Sequence, residues 1–262
     1  MNKTDALQNL VDSSVTRRDF ARRTMGVTLG AAAGGTLMLG MGESAMAQSI
    51  TDVDVLNFAL NLEYLEAEFY YVATTGRRIA DAGIVVSGTG RAGATTGGAR
   101  VALDDRSGTV AAQITIDELQ HVRFLQAALG SAAIAKPAIN LEALGIGFRN
   151  QNEFLTIARA FEDLGMSAYG GAATAISSKA ILQRAAQIAL TEAQHAGVLR
   201  LLVSDNRVVV TPLDNLDVLP LMSPGGRAFQ VDGDGLTTIR TPAQVLAIAG
   251  GFFPSGVNGN IR

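Results

Sequence analysis

Apolar residues recur three or four positions apart in four long stretches, the spacing that lays one face of an α-helix against a core. The first runs from about Thr51 to Thr75, where Val55, Ala59, Leu62, Phe69 and Ala73 share a stripe and Thr51-Asp52 offers an N-cap. The second covers about Ala111 to Leu129 and stops at Gly130, a residue suited to the left-handed position after a helix. The third spans about Gln151 to Thr174. The fourth, from about Ser178 to Val203, carries Ile181, Ile188, Leu199 and Leu202. With little strand signal between them, these stretches predict an all-α four-helix bundle.

The connections refine this picture. About twenty residues, including Pro137 and the Leu141 to Phe148 segment, separate the second and third helices. A helix of that many residues is about 30 Å long, and extended chain reaches roughly twice as far. The second and third helices can therefore run parallel, joined by one long crossover. Residues 76–110 are rich in Gly, Ala and Thr without a helical period, and read as a long insertion in a bundle that occupies residues 48–203. Residues 204–262 read as an irregular C-terminal extension. It holds a short strand at Val208 to Val210, a turn at Pro224-Gly225-Gly226 and one short helix after Thr241-Pro242. Asp232-Gly233-Asp234-Gly235 is too short for a calcium loop and reads as another turn. Val245, Leu246, Ile248, Phe252 and Phe253 are too apolar to stay wet, so the extension is expected to pack on the bundle.

Ahead of the bundle, Arg17-Arg18 precedes the apolar stretch Met25 to Met41, and Ala45-Met46-Ala47 supplies a small-x-small cleavage site. This order resembles a twin-arginine signal peptide over residues 1–47. It implies export of a folded, metal-loaded chain to the periplasm or beyond. The apolar stretch is shorter and richer in glycine than a span of about 20 residues, which argues for cleavage over retention as an anchor. No stable membrane span is expected after cleavage.

Composition narrows the chemistry. The formal net charge is -3 and no run of Lys or Arg is present, which argues against nucleic acid as a partner. There is no cysteine, so disulfides, thiolate catalysis, iron–sulfur clusters and sulfur-ligated zinc are excluded. Any metal must be held by oxygen and nitrogen, and the sole histidines are His121 and His195.

Each histidine follows a glutamate by three positions, in Glu118-Leu-Gln-His121 and Glu192-Ala-Gln-His195. Three residues advance a helix by about 300°, so each pair projects from nearly one side, one turn apart. Helices one and three extend the duplication. Glu63 precedes Tyr70 by seven residues, Glu162 precedes Tyr169 by seven, and Leu62-Glu63-Tyr64-Leu65 aligns with Phe161-Glu162-Asp163-Leu164. Seven residues are close to two turns, so each Glu shares a face with its Tyr. A Glu…Tyr helix followed by a Glu-x-x-His helix thus occurs twice. Four carboxylates and two imidazoles in one bundle form the ligand set of di-iron and di-manganese carboxylate proteins. Glu66 lies one turn from Glu63 and could replace or supplement it, but its counterpart in the other half is Gly165, which favours Glu63. Glu68, Glu153 and Asp163 read as solvated helix charges, and Phe69 and Tyr71 as core.

On these motifs the chain resembles the ferritin-like superfamily, and particularly its exported, desiccation-related branch, whose ending is similar to Gly250-Gly251-Phe252-Phe253-Pro254 with Asn258-Gly259. The resemblance implies two iron or manganese ions. It makes Glu63 and Glu162 terminal ligands, Glu118 and Glu192 bridges, and His121 and His195 one ligand to each ion. Tyr70 and Tyr169, with Gln120 and Gln194, would surround them and orient the ligands. Oxygen, peroxide and metal ions are the implied small-molecule partners, and a homo-oligomer is compatible with the family. The implied activity is ferrous oxidation or peroxide and oxygen removal under stress. Metal sequestration, or a structural stress role without turnover, is the alternative. The long first connection and the tail depart from cage ferritins and argue against mineral storage.

Overall fold

The computed structural model describes residues 50–261, so the signal-peptide reading of residues 1–47 lies outside it. Four long helices dominate: α1 (Asp52–Thr75), α2 (Asp105–Leu129), α3 (Gln151–Ala172) and α4 (Lys179–Asp205), followed by the short α5 (Pro242–Ala249). Local chemistry fixes their ends. Thr51 and Asp54 form a reciprocal capping box at the start of α1, which closes on Gly76 at a φ of 75°. A second box, built from Thr241 and Gln244, opens α5 with Pro242 in its first turn.

Helix α2 begins at Asp105 and not near Ala111. The Asp104 carboxylate accepts from the Ser107 amide at 2.7 Å and so starts the helix earlier. Ser107, Gly108 and Thr109 carry no apolar period, which hides this first turn from the sequence pattern and makes the true insertion shorter.

Helix directions follow from the side chains that meet. Thr74 touches Thr115 (3.3 Å) and Asn57 reaches the Ala132 carbonyl (3.1 Å), so α1 and α2 are antiparallel. Arg200 meets Asp163 (2.8 Å) and Gln151 meets Asn206 (2.9 Å), so α3 and α4 are antiparallel. Asp52 accepts from the amides of Ser177 and Ser178 (2.6 and 2.9 Å), and Tyr70 contacts the Ala158 carbonyl (3.4 Å), which makes α1 and α3 antiparallel as well. Helices α2 and α3 are therefore parallel, joined through the long crossover 130–150, as a ferritin-like four-helix bundle requires.

The insertion and the crossover zip together outside α1. Strand β1 (Thr95–Thr96) pairs in parallel with β2 (Ile139–Asn140), and Thr89 bridges Ile134. At Gly93 an added Cβ would lie 2.3 Å from the Ala138 amide nitrogen, so only glycine allows this approach. With this cover on one side and the bundle on the other, α1 is buried almost all round, and Leu60, Tyr64, Ala67, Phe69 and Tyr70 have no exposure.

In the extension, Val208 to Val210 forms no strand. Val208 and Val210 are buried and Val209 faces solvent, the alternation of extended chain, but no neighbouring strand among the described residues pairs with it. Val245, Phe252 and Phe253 are buried, and Phe252 meets Phe161 edge-on at 5.0 Å. Asp232 caps its turn by accepting from the amides of Asp234 and Leu236 (both 2.9 Å). Among the described residues, no helix is long and apolar enough to cross a membrane.

Candidate metal centre

The helical spacing of each Glu-x-x-His pair and the antiparallel packing bring six donors to one point inside the bundle. His121 Nδ1 lies 3.2 Å from Glu63 Oε2, 3.5 Å from Glu118 Oε2 and 3.3 Å from Glu192 Oε1. His195 Nδ1 lies 3.3 Å from Glu118 Oε1 and 3.2 Å from Glu162 Oε2. Two donor groups result, Glu63–Glu118–His121–Glu192 and Glu118–Glu162–Glu192–His195, each with its ligand atoms within 4.8 Å of one another. Glu118 and Glu192 belong to both groups. The two imidazole rings stand 6.3 Å apart.

The donor set fits a pair of divalent cations. Glu63, Glu118, Glu162 and Glu192 are all fully buried. Both oxygens of Glu118, both of Glu192, one each of Glu63 and Glu162, and His121 Nδ1 have no hydrogen-bond partner. Buried polar atoms without partners cost about 1–3 kcal/mol each, more when charged, so such a concentration is suited to a bound cation. Four carboxylates match the charge of two divalent ions, with both imidazoles neutral. Hard oxygens with one nitrogen per ion favour iron or manganese over softer metals.

Without metal, the same crowding distorts the acid–base behaviour. Burial, then the charge of Glu192, pushes Glu118 up to about 7, and burial with Glu162 pushes Glu192 up to about 8. Burial also raises Glu162. Glu63 moves the other way, because the desolvation that burial imposes is outweighed by His121. His195 rises to about 11 against its own desolvation, held by Glu118 and Glu162, and His121 rises through Glu63. Cations that replace these protons would release them to solvent.

A tyrosine locks one outer glutamate across the α1–α3 pair. The Tyr169 hydroxyl donates to Glu63 Oε1 at 2.5 Å, whereas the Tyr70 hydroxyl, near Glu162, donates to the Ala158 carbonyl (3.4 Å). Burial, reinforced by these carboxylates, pushes both phenols well above their ordinary value. Glu66 also enters the cluster. An added Cβ on Gly165 would lie 2.9 Å from Glu66 Oε1 and 2.6 Å from Glu192 Oε2, so the missing side chain on α3 is the space into which Glu66 points. Burial, then Glu192, pushes Glu66 well above its ordinary value.

Other residues stand elsewhere than the sequence predicts. Gln120 and Gln194 are exposed, and Gln194 turns back to the Leu190 carbonyl (3.2 Å). Each directly precedes its histidine and so points about 100° away from the centre. Glu68 and Asp163 are buried and not solvated. Glu68 accepts from Thr95 Oγ1 (2.7 Å) and lies 3.8 Å from Lys136 Nζ, tying α1 to the insertion and the crossover. Glu153 is half-buried, paired with Arg149 (2.7 Å), and accepts from the Gly147 amide (3.1 Å). The partners of Glu68 and Glu153 come from irregular segments that helical periodicity does not register, whereas Asp163 pairs with Arg159 and Arg200 on α3 and α4. Phe69 is core, packed against Phe148, Phe154 and Phe161, and Tyr71 is half-buried. Asp117, which the motif does not single out, holds His195 Nε2 at 3.2 Å. Its signal in the sequence is a mismatch between the copies, Asp117 against Thr191.

Residues 51–205 match the family model described as a ferritin-like domain, a stretch that contains all four bundle helices. A search of curated proteins found no match to the chain.

Proposed function

The chain belongs to the ferritin-like domain family, and on that premise we propose that it binds a carboxylate-bridged pair of iron or manganese ions and uses them to oxidise ferrous iron or remove peroxide or oxygen. The observation that carries this reading is that Glu118 and Glu192 belong to both donor groups. Two cations a few ångströms apart repel, and shared carboxylates are the arrangement that screens them. Bound there, such ions would supply reversible electron transfer and open positions for oxygen or peroxide. The chain's own part is to hold six donors in place, to orient Glu63 through Tyr169, and to keep the site in a buried, water-poor interior.

The test is metal analysis of the protein purified from its native compartment, followed by stopped-flow mixing with peroxide and with oxygen. Two iron or manganese ions per chain, with rapid consumption of either oxidant, are expected. Bound but inert metal would favour sequestration or a structural role, and a metal-free protein that takes up neither ion would sink the reading.

We further propose that the protein is exported by the twin-arginine route and acts in the periplasm or beyond under oxidative or drying stress. Arg17-Arg18, the apolar stretch behind them and Ala45-Met46-Ala47 support this. Arg17→Lys with Arg18→Lys should leave the protein in the cytoplasmic fraction. Unchanged export of that variant would rule the route out.

A further inference from the structure

The two halves of the candidate centre are built from duplicated motifs, but their outer supports differ. On one side, His195 Nδ1 faces the centre and Nε2 faces Asp117 Oδ2 at 3.2 Å. Asp117 is itself fixed, because its Oδ1 accepts from Gln113 Nε2 at 3.0 Å one turn earlier on α2. A carboxylate on the outer nitrogen keeps a proton at Nε2 and sets the ring's angle. On the other side, the residue that corresponds to Asp117 is Thr191. Its hydroxyl donates to the Gln187 carbonyl of its own helix at 3.2 Å and so is committed elsewhere. His121 makes its contacts through Nδ1, and no partner of its Nε2 is found among the described residues. Glu66 does not offset the difference, since it faces Glu192, which serves both halves.

Resting on the two-metal reading above, we infer that the halves are inequivalent, and that Asp117 is a positioning residue that makes the His195 half the first and tighter to fill. The His121 half, whose ring is held through Nδ1 alone, fills second and exchanges more readily. The physical cause is preorganisation. The first half presents its nitrogen donor already aimed, because the ring is held from both sides, whereas the second must fix its ring on binding.

Stepwise titration of the full-length protein with Mn²⁺, followed by the EPR signal of the free ion and by calorimetry, tests this without reference to turnover. Asp117→Ala should weaken the first binding step by roughly 10- to 100-fold, the usual effect of losing such an outer partner. Asp117→Asn should keep much of the affinity, because its amide oxygen still accepts from Nε2. Thr191→Asp, which supplies the missing carboxylate to His121, should tighten the second step while leaving the first alone. A merely structural Asp117 would lower the melting temperature and leave both steps unchanged. That result, or an Asp117→Ala protein in which only the second step weakens, would overturn the inequivalence while the centre stood. A wild-type protein that binds no Mn²⁺ and no Fe²⁺ would instead remove the centre itself, and the inference with it.

Discussion

Glu118→Ala combined with Glu192→Ala should take the metal content from two ions per chain to none, and should leave the metal-free protein more resistant to heat than the wild type. The two effects have one cause. Both carboxylates are fully buried, and none of their four oxygens has a hydrogen-bond partner. They suit cations and are costly without them. Burial raises Glu118 from 4.5 to about 7 and Glu192 from 4.5 to about 8, with neighbouring carboxylates adding to the rise. A raised acid pKa means that folding favours the protonated form. The cost of holding these groups is therefore absent below about pH 4.5 and complete above about pH 8. Removing both should stabilise the metal-free bundle at pH 8 by on the order of 1–3 kcal/mol, after the loss of packing is set against the relief of charge. That gain should fade as the pH falls through 7 toward 5. Loaded wild type should melt higher than its metal-free form, through linkage to binding, and the double variant should show no such increment. Calorimetry and metal analysis at pH 8 and pH 5 would read all of this. Unchanged metal stoichiometry would refute the assignment of the bridging pair, and a metal-free variant that is less stable at pH 8 would refute the account of the cost.

How far such features can be read in advance depends on whether they repeat along a helix. The four long helices show in the 3.6-residue period because each buries a continuous apolar stripe. The six donors show because the motif occurs twice and consumes every histidine. Asp117 and Glu66 are harder. Each breaks the duplication, facing Thr191 and Gly165 in the other copy, and asymmetry reads as noise until the helices are placed in space. Gln120 and Gln194 show the opposite error, in which adjacency in sequence stands in for adjacency on a helix face. The start of α2 is hidden because Asp104 begins it through a cap and not through apolar spacing. The pairing of β1 with β2 joins two-residue segments more than forty positions apart, too short for any periodicity to show.

Asp163 resembles a solvated charge in the sequence for a related reason, and it carries the second large prediction. Asp163→Ala should destabilise the protein by about 3–5 kcal/mol, the cost of breaking a buried ion pair from one side. Asp163 has no exposure. Its Oδ2 lies 2.6 Å from Arg159 Nε and 2.8 Å from Arg200 Nη1, and both arginines are buried. Burial raises its pKa despite the two guanidinium groups, so desolvation outweighs attraction at this one site. The set is held because each arginine also anchors the extension. Arg159 pairs with Asp217, and Arg200 donates to the carbonyls of Leu219 (3.1 Å), Arg227 (2.9 Å) and Ala228 (3.2 Å). With its amide turned to satisfy its neighbours, Gln230 donates to Asp163 as well (3.1 and 3.0 Å). Alanine at 163 would leave the buried Arg200 guanidinium with carbonyl partners alone and Arg159 with Asp217, and would loosen residues 213–230 from α3 and α4. For a domain of this size the melting temperature should fall by roughly 6–20 °C, and cleavage by trypsin should begin in the extension before the bundle. Glu162, the neighbouring proposed donor, projects about 100° away from Asp163 on α3, so Mn²⁺ stoichiometry at 20 °C should be unchanged. A loss of less than about 1 kcal/mol in urea unfolding would mean that water replaces the carboxylate without cost, and that the extension is held by its other contacts, such as Arg240 with Ser167, Asn258 with Asn61, and the buried Val245 and Phe252.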